Sequence, residues 1–127
     1  MNLALWISAG LLAAVMLVGA ATKLFVPKEK LAAAHGGGWT GDAGVGFVKS
    51  LGAIELLAAV GLVLPAALGI APVLVPLAAA GVVLLMVGAM ITHLRRDEAR
   101  FAMANLTYLA LAAFVAWGRF GPESFTG

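Results

Sequence analysis

Residues 3–22 read LALWISAGLLAAVMLVGAAT, an uncharged run of 20 residues that ends at Lys23. At about 1.5 Å per residue a helix of this length spans roughly 30 Å, the thickness of a bilayer's hydrocarbon core. No basic residue precedes the run, and it is longer than the apolar segment of a secretory signal, so it is expected as a retained membrane helix. The rest of the chain fits the same solvent. Hydrophobic residues make up 63% of the 127 residues and charged ones 11%, against about 25% charged in a soluble domain. A soluble globular fold is thereby excluded. The net charge of +2 comes with no basic stripe, so nucleic acid is not expected as a partner.

Three further apolar stretches are long enough to cross. The second span is expected over about residues 47–64, ending at Pro65, which cannot donate a backbone hydrogen bond. The third is expected over about 72–93, with its prolines in the first turns, where missing amide donors cost little. The fourth is expected over about 101–117. The fold class is therefore all-α: an integral membrane four-helix bundle forming one four-span domain over 1–127. A short interfacial helix should lie in the first polar loop, where Pro27 opens the sequence from Lys28 to Ala34. Gly36, Gly37, Gly38, Trp39, Thr40, Gly41 and Asp42 read as a flexible connector with Trp39 as a membrane anchor. Their spacing matches neither phosphate-binding glycine fingerprint.

Four spans place both termini on one side and both polar loops on the other. Lys23, Lys28, Lys30, Lys49, Arg95, Arg96 and Arg100 flank the loops, whereas Arg119 flanks the opposite face. The positive-inside rule then makes the loops cytoplasmic and the termini extracytoplasmic, with Trp6, Trp117 and Phe120 as an outer aromatic belt.

The loop-side half of the bundle gathers the polar residues. Lys23 and His93 end the first and third spans. Asn105 lies about 7 Å beyond Arg100, Glu55 about 9 Å beyond Lys49, and Tyr108 one turn deeper than Asn105. Placing a charge at such depth costs on the order of 2.5–3.5 kcal/mol on insertion scales, so Glu55 should face a partner or a watery cavity. Gly52, Ala58, Ala59 and Leu62 share its face, and small residues there let helices approach closely. Lys49, about 120° around the helix from Glu55, is expected to snorkel to headgroups instead. Lys23, Glu55, His93, Asn105 and Tyr108 are accordingly the candidate ligand-binding residues. They could line a pocket for a polar ligand, a quinone head group or a proton, or serve as interhelical hydrogen-bonding glue.

No catalytic residue and no metal ligand is assigned. With no cysteine the chain has no thiol couple and no thiolate metal site. Met16, Met86, Met90 and Met103 read as gap fillers in apolar packing. His35 falls in the glycine-rich loop, so no pair of axial haem ligands is expected. Val18-Gly19-Ala20-Ala21-Thr22-Lys23-Leu24 also echoes Val87-Gly88-Ala89-Met90-Ile91-Thr92-His93-Leu94 with one residue inserted. This hints at two related hairpins, matching Lys23 to His93 and Glu55 to Asn105.

The segments Gly19-Ala20-Ala21-Thr22-Lys23-Leu24, Gly46-Phe47-Val48-Lys49-Ser50-Leu51-Gly52-Ala53-Ile54-Glu55-Leu56-Leu57 and Thr92-His93-Leu94-Arg95-Arg96 together resemble the DoxX-like family of small bacterial membrane proteins. The likeness covers nearly the whole chain. It implies four membrane helices in the bacterial cytoplasmic membrane. It also implies an association with thiosulfate:quinone oxidation or with redox and oxidative-stress assemblies, whose enzymes would be partners alongside the lipid bilayer. Lys23, Glu55, His93 and Asn105 match the family's polar pattern. The functional expectation is a membrane component of such an assembly, without catalytic activity of its own, that binds a quinone-like or other small ligand, and self-association is allowed. A small proton-coupled transporter or a purely structural membrane partner are the alternatives.

Overall fold

Hydrocarbon offers no water to a backbone amide, so an uncharged span must close its hydrogen bonds within itself, and a helix is the local way to do so. In the computed structural model, which describes residues 1–33, 38–41 and 43–124, four such helices are joined by one long and two short connections. They are α1 (Asn2–Phe25), α3 (Val45–Leu68), α4 (Leu74–Arg95) and α5 (Ala99–Phe120). Between α1 and α3 lie α2 (Lys28–Ala33) and a 3-10 turn (Gly38–Gly41). Among the described residues there is no strand.

Each long helix packs on its sequence neighbour, and α5 returns to α1, so the four close into an up-down-up-down ring. Contact is most extensive between α1 and α3 and between α4 and α5. The interior holds Leu12, Met16, Leu62, Ala79, Val82, Ala112 and Val115. The outer surface is equally apolar: Leu3, Leu57 and Leu84 are 71–74% exposed, which water would oppose and lipid does not. All four long helices meet the length and hydropathy of a membrane span. The protein is a four-helix membrane bundle.

A short helix forms in the loop where the interfacial helix is expected, as α2, with Glu29 and Lys30 exposed. Ala34, His35, Gly36, Gly37 and Asp42 lie outside the described residues, so the reading of that stretch as a flexible connector applies to them untested.

The helix ends differ from the expected span limits by a few residues, and the reason is clearest at Pro65. The second span does not stop at Pro65: α3 carries Pro65 inside it and continues to Leu68. A proline in a membrane helix frees one carbonyl, which neighbouring groups can satisfy. The stop comes instead from Gly69, at φ 69°, where the Ile70 amide donates to the Pro65 carbonyl at 2.9 Å and the Gly69 amide to that of Ala66 at 3.3 Å. This is a Schellman termination, which requires the left-handed region at that residue. The third span begins at Leu74, after a turn in which the Leu74 amide donates to Ala71 and that of Val75 to Pro72. The fourth extends to Phe120 and so includes Arg119.

The loop-side end of α4 closes in the same way with a different residue. The Glu98 amide donates to the His93 carbonyl at 2.8 Å and the Asp97 amide to Leu94 at 3.2 Å. Asp97 takes the left-handed position at φ 57°. Gly69→Ala should therefore cost about 1 kcal/mol, the steric penalty of a Cβ at positive φ. Asp97→Gly should change stability by no more than about 0.5 kcal/mol, since relief of that penalty offsets glycine's extra entropy. Reversible unfolding in detergent measures both, and an undiminished Gly69→Ala protein would show that another contact ends α3.

Candidate functional site

Glu55 meets Lys23 because each sits opposite a glycine on the partner helix. Gly19 precedes Lys23 by one turn of α1, and a Cβ there would lie 2.8 Å from Glu55 Oε2. Gly52 precedes Glu55 by three residues of α3, and a Cβ there would lie 2.9 Å from the Lys23 Cβ. The two helices thus come together over missing side chains, and the charged groups fill the space. Lys23 Nζ donates to Glu55 Oε1 at 3.1 Å and to Oε2 at 3.0 Å. The side chains are 17% and 11% exposed, so both charges are largely withdrawn from solvent and each depends on the other. Trp39, from the 3-10 turn, places its ring centroid 5.9 Å from the same ammonium, within cation–π range. Trp39, expected as a membrane anchor, thus also lies against the ion pair.

Lys49 takes another role, consistent with its expected distance from Glu55. Its Nζ donates to the Leu24 carbonyl at 2.8 Å and so caps the end of α1, where carbonyls lack intrahelical donors.

His93 is buried, but its hydrogen-bonded partner is Glu98, with Nδ1 and Oε1 2.9 Å apart. The turn explains the pairing: the bond from the Glu98 amide to the His93 carbonyl folds Glu98 back over His93. Arg96 Nε lies 3.5 Å from the same carboxylate oxygen, and the Phe101 ring sits 5.5 Å from the imidazole. Glu98 was not among the expected site residues. Its signal in the sequence is local, a carboxylate five residues after a histidine across an Asp that tolerates positive φ.

On α5, Asn105 has its Nδ2 buried with no hydrogen-bond partner among the described residues. Tyr108 is half-buried against the apolar interior. The expected cluster thus resolves into an α1–α3 ion pair, a second pair at the α4–α5 turn, and two polar residues on α5 that bond to neither pair. Among the described residues no three acidic or histidine side chains gather in a metal-ligating group. Beside the first pair lies a half-open cleft of about 130 Å³ lined by Lys23, Phe25, Val26, Pro27, Leu31, Val45, Val48 and Lys49. Of the five expected residues, Lys23 is the one that borders it.

The opposite end carries a polar node that the sequence reading missed. Arg119 is 4% exposed. It donates to Asn2 Oδ1 at 2.8 Å and to the Glu123 carbonyl at 2.9 Å, with its guanidinium 5.8 Å from the Trp6 ring centroid. It ties the start of α1 to the end of α5. A lone arginine at a helix end resembles a headgroup-seeking side chain, and its partner lies 117 residues away.

A model of the DoxX-like family matches residues 7–115, from the first turns of α1 to the last third of α5. Neither a curated protein nor a solved structure is matched by the chain.

The Lys23–Glu55 pair is measurable by a double-mutant cycle. Lys23→Met and Glu55→Gln should each destabilise the bundle, and the double variant should recover part of the loss, with a coupling of about 1–3 kcal/mol. Additive single and double effects in detergent unfolding would show that the two charges do not depend on each other.

Proposed function

The chain therefore belongs to the DoxX-like family, and we propose that it is a membrane component of a redox or oxidative-stress-linked assembly. In this reading its loop-side half binds a small carbonyl-bearing ligand of quinone type. The observation that carries the reading is the buried Asn105 amide without an acceptor. A buried donor left unsatisfied costs about 1–3 kcal/mol, and natural structures leave few such groups. A ligand carbonyl supplies the missing acceptor. Tyr108, one turn deeper on α5, offers a second polar contact at a ring's edge. Lys23 would orient the ligand with Asn105, and Glu55 and His93 would accept protons, each already held by a charged or hydrogen-bonding neighbour. Having no cysteine, the chain would exchange electrons through a ligand or a partner protein and not through thiols.

The Lys23–Glu55 pair also favours a structural role, since it fastens α1 to α3. The two readings differ at Asn105, whose Nδ2 has no hydrogen-bond partner among the described residues for a structural role to lose. A short-chain quinone titrated into the purified protein should bind. Asn105→Leu should weaken that binding about ten-fold, the worth of one buried hydrogen bond, without lowering thermal stability. Undetectable binding, or equal binding by the variant, removes the quinone-type site.

We further propose that the polar loops face the cytoplasm. Seven basic residues flank them, and the opposing Arg119 is occupied within the bundle, which leaves little positive charge to hold that face inside. A chain without cysteine permits a direct test. Lys30→Cys should react with a membrane-impermeant maleimide only after the cytoplasmic side is opened, and Gly121→Cys should react in intact cells. The reverse pattern would invert the topology.

A further inference from the structure

The cleft beside α2 has a chemistry of its own. Its walls come from the last residues of α1, the connection to α2, Leu31 of α2, and the first turns of α3. Six of its eight lining residues are apolar, the other two are lysines, and among the described residues no acidic side chain borders it. Lys23 is neutralised by Glu55, but Lys49 is not matched in this way. Its bonded partner is the Leu24 carbonyl, which carries no formal charge and uses one of the three ammonium protons. The cleft thus presents one uncompensated cation and donors at the rim of an apolar hollow. It opens where α1 ends and α3 begins, the depth at which headgroups meet hydrocarbon. Phe25 and Phe47, 82% and 58% exposed, flank the region with apolar surface that only acyl chains would cover.

We propose that this cleft is a binding site for an anionic phospholipid, with the headgroup phosphate on Lys49 and the upper acyl chain along Val45, Val48, Phe25 and Leu31. Charge complementarity selects the headgroup: a basic residue near the membrane surface attracts anionic lipid by about 1 kcal/mol. The volume suits a headgroup and not a whole lipid, since a cavity of roughly 150 Å³ holds a benzene-sized ligand. The glycerol and acyl parts must therefore run along the outer wall. The site is separate from the Asn105 donor and does not depend on the quinone-type reading.

The full-length protein, delipidated in neutral detergent and titrated with phosphatidylglycerol or phosphatidylcholine under native mass spectrometry, provides the test. Wild-type protein should take up phosphatidylglycerol in preference to phosphatidylcholine. Lys49→Gln keeps an N–H for the Leu24 carbonyl while removing the charge, and should lower phosphatidylglycerol affinity about five-fold, one lysine's worth of attraction. Lys49→Arg should retain the affinity. Lys30→Gln, which removes an equal charge outside the cleft, should leave the affinity within two-fold of wild type, a margin of about 0.4 kcal/mol. Equal losses in Lys30→Gln and Lys49→Gln, or no preference between the two lipids, would mean diffuse surface attraction and overturn the site. Glycerol phosphate competing as strongly as the lipid would assign the cleft to a soluble phosphate and overturn the lipid as occupant.

Discussion

A carboxylate placed two turns inside a membrane span needs a counter-charge within reach, and most of the loop-side architecture follows from how Glu55 obtains one. Lys23 can supply it only if α1 and α3 approach more closely than ordinary side chains allow. Gly19 and Gly52 provide that approach, and the space each leaves is filled by the other helix's charged residue. The ion pair and the glycine contact are thus one interaction seen from two sides. Because the end of α1 is held there, its exposed carbonyls fall within reach of Lys49, and Trp39 comes to lie against the ammonium.

The same constraint explains how the rest of the bundle can be assembled from small residues. In lipid there is no hydrophobic gain from bringing helices together, so association rests on close packing and on polar contacts that would otherwise go unsatisfied. The middle of the bundle uses the first, with alanine and valine at the helix crossings around Leu12, Met16 and Leu62. The two ends use the second, with Lys23 and Glu55 at one and Arg119, Asn2 and the Glu123 carbonyl at the other.

What the sequence could reveal divides along the range of the interactions. Span existence was legible because hydrocarbon thickness sets a length that the runs from Leu3 and Phe47 satisfy unaided. The inward direction of Glu55 was legible because its small neighbours share its face. Span ends were less so: Pro65 is a strong breaker in water, yet α3 passes through it and stops at Gly69, where the backbone needs positive φ. The partner of Glu55 was among the expected residues, since both lie at one end of antiparallel helices. The partner of His93 was not, because its choice depends on a turn in which Asp97 takes a left-handed conformation. The partner of Arg119 was not legible for the opposite reason, since Asn2 is too distant in sequence for any local pattern to show.

The echo between residues 18–24 and 87–94 gives these differences an order. Its matching sets Lys23 beside His93 and Glu55 beside Asn105, and the closest helix pairs, α1 with α3 and α4 with α5, are the two hairpins it describes. In the first hairpin the connection is long, and Lys23 reaches across to Glu55. In the second the connection is only a few residues, and its tight turn delivers Glu98 to His93. His93 is thus paired along the chain, and on α5, among the described residues, the buried Asn105 Nδ2 has no acceptor. A short turn in place of a long loop thus separates a closed ion pair from an open polar position. In the reading proposed above, that open position is where a ligand would add an interaction that the described residues do not make.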